Sequence, residues 1–256
     1  MNQFLAFTKK ELRESIATFR VYILLAVFLL FGVMGPLLAV ATPMLLEMVA
    51  VEGSGITITM PDPTAVDAWT QFFSNFSQMG SLALVILFAG IMANEFSRGT
   101  LVNLLTKGMR RHTVILSKFI SSGLLWTVAI VLSIGVCYIY TAFYFETEPI
   151  SYFALVFVAP WLFGLFMISL LIFGGTLFSS FGGSLGIGLG VFFALVFANM
   201  IPGFERYNPV SLSGGALSLI AGAGTASDLL PAILIGIASI IVLLVGAVIV
   251  FNKKKV

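Results

Sequence analysis

Six long apolar runs dominate this chain, at about 21–43, 77–93, 119–145, 152–178, 184–201 and 229–251. A helix needs about 20 apolar residues to cross the hydrocarbon core of a bilayer, so each run is a candidate crossing, with the second and fifth short. Only 9% of the 256 residues are charged, where a soluble domain carries about 25%. A soluble core cannot absorb this much apolar surface. The expectation is an all-α integral membrane protein: six transmembrane helices in one domain over 1–256, with no room for a large soluble module.

The placement of charge orients these crossings, because Lys and Arg collect on the cytoplasmic side. With six crossings both ends share a side. That side receives Lys9, Lys10, Arg13, Arg20, Arg98, Lys107, Arg110, Arg111, Lys118, Lys253, Lys254 and Lys255, twelve of thirteen, leaving Arg206 opposite. Eight of eleven acidic residues lean the other way. Both termini and the 94–118 loop are therefore expected in the cytoplasm, and the chain in the cell (plasma) membrane.

Several segments do not cross. Residues 1–20 place Phe4, Leu5, Leu12, Ile16 and Phe19 near one helical face, with Lys9, Lys10, Arg13 and Glu14 largely elsewhere. This is the pattern of a helix lying in the interface. Residues 44–76 carry an alternating GITITM stretch and a candidate interfacial helix at Pro63–Phe73, and FETEPIS reads as a tight hairpin between the third and fourth runs. Residues 202–228 hold a mildly apolar stretch too short to span, a re-entrant or interfacial helix whose ends must face protein or water.

No catalytic set presents itself. There is no G-x-x-x-x-G-K-[ST], so the chain is not itself a P-loop ATPase. Gly182-Gly183-Ser184-Leu185-Gly186 matches G-x-S-x-G, but the sole histidine, His112, lies in another loop. Gly182, Gly186 and Gly190 read better as a GxxxGxxxG ridge for close helix packing. No run centre carries an acid or base for a proton relay. The single Cys137 excludes an internal disulfide, and no metal-ligand spacing surrounds His112.

The stretch NEFSRGTLVNLLTKGMRRHTVILSK, 94–118, must leave the bilayer, because each buried Lys or Arg would cost roughly 2.5–3.5 kcal/mol at mid-membrane. Yet Leu101, Leu104, Leu105 and Met109 recur at helical spacing. Ser97 or Thr100 can cap a first turn and Gly108 break it. The result is a short amphipathic helix, a break, and a basic helix entering the next crossing. A solvated loop needs the charge but not the leucine stripe, which suggests docking to the interface or to a soluble partner.

Glu95, Gly99-Thr100-Leu101, Leu104-Leu105-Thr106-Lys107-Gly108, Arg111 and Lys118 resemble the cytoplasmic loop of type-2 ATP-binding-cassette exporter permeases. KKELRES, Arg20 and the GxxGP from Gly32 to Pro36 are similar to that family's interfacial helix and first span. The chain departs at the break, where many relatives have Pro and it has Gly108. The resemblance implies a permease subunit paired with a second, identical or similar one, each bound to a separate ATPase that carries the ATP and Mg. No cofactor on this chain and no nucleic acid are implied. Glu95, Arg98, Gly99, Thr100 and Leu101 would begin a coupling helix, while Leu104, Leu105, Lys107, Arg110 and Arg111 would meet the ATPase or fix that helix to the membrane face. The expected cargo is hydrophobic or amphipathic: an antimicrobial or other peptide, a drug or a lipid. The alternative is a non-transport scaffold or regulator that recruits a soluble partner through the basic loop.

Overall fold

The structure, a computed structural model, describes residues 3–51, 62–97, 99–106, 108–146, 153–222 and 224–254. Arg98, Lys107, the GITITM stretch, and Glu148 and Pro149 of the expected hairpin lie outside them. Among the described residues every regular element is helical. Helix α1 (Gln3–Ala17) precedes α2 (Arg20–Val51). Then α3 (Ala65–Asn75), a π-helical turn (Phe76–Gly80), α4 (Ser81–Phe88) and α5 (Gly90–Ser97) follow head to tail. A short α6 (Thr100–Thr106) leads to α7 (Arg111–Tyr144), α8 (Phe153–Phe178) and α9 (Phe181–Ala198). Past a 3-10 turn (Glu205–Tyr207) come α10 (Ser211–Ile220) and α11 (Ala226–Lys253). Six helical stretches are long and apolar enough to cross a membrane, with α3 to α5 forming one of them.

The second crossing is longer than its apolar run, and the separate interfacial helix expected at Pro63–Phe73 is instead its first half. Backbone angles stay helical through Asn75 (φ −65°, ψ −40°) and Gly80 (φ −62°, ψ −38°), so the rod does not break. Two of the serines that interrupt the hydropathy are satisfied by their own helix: Ser77 Oγ donates to the Ser74 carbonyl (3.1 Å) and Ser81 Oγ to that of Ser77 (2.6 Å). Trp69, Phe72, Phe73 and Phe76 are buried in the bundle. A capping box between Thr64 and Asp67 starts the helix.

Small residues set the closest approaches. A Cβ on Gly32 would lie 2.5 Å from the Ser133 carbonyl of α7, and one on Gly35 would lie 2.7 Å from the Phe72 Cβ. The GxxGP motif therefore packs α2 against two partners at once. Ser133 Oγ donates to the Phe28 carbonyl at 2.6 Å, a buried polar tie of the kind that holds helices together in lipid. Trp126 lies against Gly164; its Nε1 donates to the Trp161 carbonyl (3.0 Å) and Trp161 Nε1 donates to Thr127 Oγ1 (2.9 Å). These tryptophans knit α7 to α8.

Helix α10 is the non-spanning element, and it goes deep. Leu212 meets Gly236 of α11, ten residues or about 15 Å along that helix from its start. Leu212 and Ala216 are fully buried. Helix α9, with 18 residues, is about 27 Å long against about 39 Å for the 26 residues of α8, so it ends early. Asn208 makes that early ending tolerable. Fully buried, it donates from Nδ2 to the Leu195 carbonyl (2.7 Å) and to Asn199 Oδ1 (3.1 Å), and accepts from the Val210 amide (3.0 Å). The backbone groups at the end of α9 thus find protein partners rather than hydrocarbon.

Gly182, Gly186 and Gly190 meet nothing within 4 Å and line an open face of α9. Within the chain the close contacts fall to Gly183, against Phe178, and Gly188, against Leu171. Ser184 is buried and donates to the Leu171 carbonyl at 2.9 Å, a packing role.

Candidate functional site

Helix α1 wears its faces inside out compared with a helix on a soluble protein. Its buried side is Phe7, Thr8, Glu11 and Ser15, mostly polar, while Leu5 and Ile16 are exposed beside Lys9 and Arg13, and Phe19, expected on the same helix, is exposed in the turn just past its end. Phe4 and Leu12, assigned to the same apolar face, are half-buried. An outward apolar face flanked by cations suits a helix resting in a membrane interface. The polar side needs partners within the bundle, and it has them.

Lys118, in the first turns of α7 and 2% exposed, places its Nζ 2.8 Å from Glu11 Oε2 and 3.0 Å from Glu95 Oε1. Lys10 Nζ contacts Glu11 (3.1 Å), Glu14 (2.6 Å) and Glu95 (3.1 Å). The Glu11, Glu14 and Glu95 ligand atoms lie within 4.8 Å of one another, a spacing that suits a metal, but the Lys10 ammonium already bridges all three. Burial by itself would lower the Lys10 ammonium. Its bond to Glu14 and the charges of Glu11 and Glu95 outweigh that and hold it above its ordinary value. A cavity of about 230 Å³, lined by Ser15, Arg20, Asn94 and the cluster itself, opens beside it. Three helices, α1, α5 and α7, are thereby pinned at one charged point.

Glu95 also controls the exit into α6. The Thr100 hydroxyl lies against a Glu95 carboxylate oxygen and 3.3 Å from the Glu95 carbonyl. Between them Gly99 has φ +66°, which lets the chain turn sharply; its N–H donates to the Phe96 carbonyl at 3.2 Å. Gly108, at φ +81°, closes the other end: its N–H donates to Leu105 (3.0 Å) and the Met109 N–H to Leu104 (3.2 Å), the paired bonds of a Schellman stop. The Gly-Thr and the later Gly are therefore geometric requirements of a seven-residue helix held between two left-handed turns.

The leucine stripe docks α6 on its own protein. Leu101 is fully buried, and Leu104 and Leu105 are half-buried against the core. Val102, Thr106, Arg110 and His112 remain exposed. Arg111 turns inward: its guanidinium donates to the carbonyls of Phe251 and Lys254 (2.8 Å for the latter) at the end of α11 and lies 5.1 Å from the Phe251 ring. Of the expected loop residues, Glu95, Gly99, Thr100 and Leu101 come together around the start of α6, while Arg111 belongs to a different contact.

The architecture has six crossings, a short helix caught between the second and third, and a deep non-spanning helix before the last. A family model described as ABC-2 family transporter protein matches residues 5–256. The chain belongs to the ABC-2 transporter family. It is also similar to the uncharacterized transmembrane protein YxlG of Bacillus subtilis (strain 168), 26% identical over 164 residues. That match covers 63% of this chain and 62% of the relative, so it spans less than two thirds of either.

Four members of the charged cluster of this ABC-2 family protein, Lys10, Glu11, Glu14 and Lys118, lie outside the set that the loop resemblance assigned to the ATPase contact. A sequence signal for them existed. Glu11, Glu14 and Glu95 are the three acidic residues that the orientation leaves on the basic side, against the trend of the other eight. All three meet in the cluster.

Proposed function

We propose that this chain is the membrane-spanning permease subunit of an ATP-driven exporter. It moves a hydrophobic or amphipathic substrate, such as a peptide, drug or lipid, out of the cytoplasm or the membrane. Its basic end faces the cytoplasm of the cell membrane, and hydrolysis of ATP with Mg takes place on a separate ATPase subunit. The observation that carries this reading is the Glu95 junction. One buried carboxylate joins the first residue of α6, through Thr100, to α7 and α1, through Lys118. A partner pressing on the exposed side of α6 would thus displace two crossings and the interfacial helix together. Such wiring is superfluous in a passive tether. A second permease subunit suits α9, of whose span 17% is buried against 72% for α8, and whose glycine ridge stands open.

The test is co-purification with a co-expressed ABC ATPase subunit from the same genome, followed by ATP-dependent export from vesicles. The unaltered chain should bring down the ATPase in equal stoichiometry. Thr100→Val should leave that association in place while lowering transport per ATP hydrolysed. A chain that recruits a soluble partner but supports no ATP-dependent movement of any apolar probe is a scaffold, and the permease reading is then wrong.

A further inference from the structure

A second junction at the basic end involves the residue next to Glu95. Phe96 stacks edge-on against Phe251 of α11, with ring centroids 5.8 Å apart at 82°. Arg111 holds the last carbonyls of α11, as described, and that alone would suffice to cap the helix. The chain goes further. The Lys254 ammonium sits 4.9 Å from the Phe96 ring, donates to the Leu177 carbonyl at 2.9 Å and reaches Ser179 Oγ. Leu177 and Ser179 form the turn from α8 into α9, where Ser179 adopts φ +55°, a left-handed conformation that a non-glycine residue holds only with support. Ser180, the next residue, accepts from the Gly183 amide at 3.1 Å and begins α9.

Glu95 and Phe96 are successive residues on one helix, about 100° apart around its axis. They address different neighbours: Glu95 reaches α1 and α7, while Phe96 reaches the end of α11 and the root of α9. We propose that Lys254 is a positioning residue forming a strap by which movement at the start of α6 is delivered to α9. The path runs from Phe96 through the Phe251 ring and the Lys254 ammonium to Leu177 and Ser179. Helix α9 is the least enclosed of the six crossings within the chain, so a displacement of its root meets little resistance from packing inside its own subunit. The strap rests on the permease reading and adds a second output to it: the first junction moves α1 and α7, and this one moves α9.

The experiment uses the full chain co-expressed with its ATPase, in vesicles of phosphatidylethanolamine and phosphatidylglycerol. A cysteine replaces the exposed Met200, just beyond α9, in a Cys137→Ser background, and its maleimide labelling rate is read with and without ATP and vanadate. With Lys254 intact, trapping should change that rate by at least about fivefold, the usual size of a coupling between sites. Lys254→Met should abolish the change while ATPase co-purification and basal hydrolysis persist, and Lys254→Arg should restore it. A Lys254→Met chain that keeps the full change overturns the strap. So does one that loses the change and ATPase binding together, because the tail would then be a structural prop. If the rate fails to respond to ATP with Lys254 intact, the strap is overturned, whereas the permease reading falls only if the same vesicles show no ATP-dependent movement of an apolar probe.

Discussion

Replacing Lys118 by Met tests the charged cluster most directly. The side chain keeps its length and loses only the ammonium, leaving Glu11 and Glu95 facing each other at a site where Lys118 itself is 2% exposed. Removing one partner of a buried ion pair costs roughly 3–5 kcal/mol. Two features reduce that here: Lys10 remains to neutralise one carboxylate, and the adjacent cavity of about 230 Å³ admits water. A loss of about 2–3 kcal/mol is therefore expected. For a chain of this size that corresponds to a melting temperature lower by about 5–10 °C, measured in detergent micelles. Lys10→Met is the control, since its side chain is 43% exposed and exposed pairs contribute about 0.2–1 kcal/mol. Adding Glu11→Gln to Lys118→Met removes the stranded charge and should recover at least about 1 kcal/mol. Equal shifts for the two lysine variants, or strictly additive behaviour of the double variant, would refute a buried cluster organised around Lys118.

Gly108→Ala forces a Cβ onto a residue at φ +81° and should destabilise the end of α6 by about 1–2 kcal/mol, detectable as faster amide exchange over 104–109. Asn208→Leu keeps the branched shape but strands the Val210 amide, at about 1–3 kcal/mol for a buried group, and leaves the Leu195 carbonyl with only the Asn199 amide; unchanged thermal stability would show that α9 does not need this cap. Gly186→Ile projects into open space, so the isolated subunit should melt normally while the fraction cross-linked as dimer falls. Because the fold raises Lys10, its stabilisation is complete below the ordinary value near 10.5 and fades only as pH climbs past it. Cluster stability measured between about pH 6 and 9 should thus be flat, and a midpoint in that range would contradict the assignment.

The crossings were legible because a bilayer demands length and apolarity, and both are one-dimensional properties. The same criterion failed at 63–76. Hydropathy treats Ser74, Ser77 and Gln78 as breaks, whereas Ser77 Oγ donates to the Ser74 carbonyl, Gln78 Nε2 donates to Ser74 Oγ, and the helix continues. The loop residues were legible as a type of element: Gly99 and Gly108 announce left-handed turns, and the leucines announce a docked face. What they dock against was not legible. Leu101 could equally have met a partner, and only the three-dimensional fold shows it buried in the core of its own chain. Arg111 illustrates the limit further, since its acceptors lie 140 and 143 positions away and no local spacing could name them. The glycines of the α9 ridge meet nothing within 4 Å in this chain, so helical spacing alone could not say what they pack against.

The inverted faces of α1 bear on how the protein is made. Glu11 precedes its partner Lys118 by 107 positions, so a ribosome delivers the carboxylate, with only Lys10 of its two ammonium partners beside it, well before the Lys118 ammonium exists to meet it. Until the third crossing is inserted, the polar side of α1 has no protein neighbour on α7. In that interval the outward Leu5, Ile16 and Phe19 are what keep the helix at the membrane surface with Glu11 toward water. Arrival of α7 then closes the cluster, so the ion pairs serve as a late seal on biogenesis, set only after the first three crossings stand side by side.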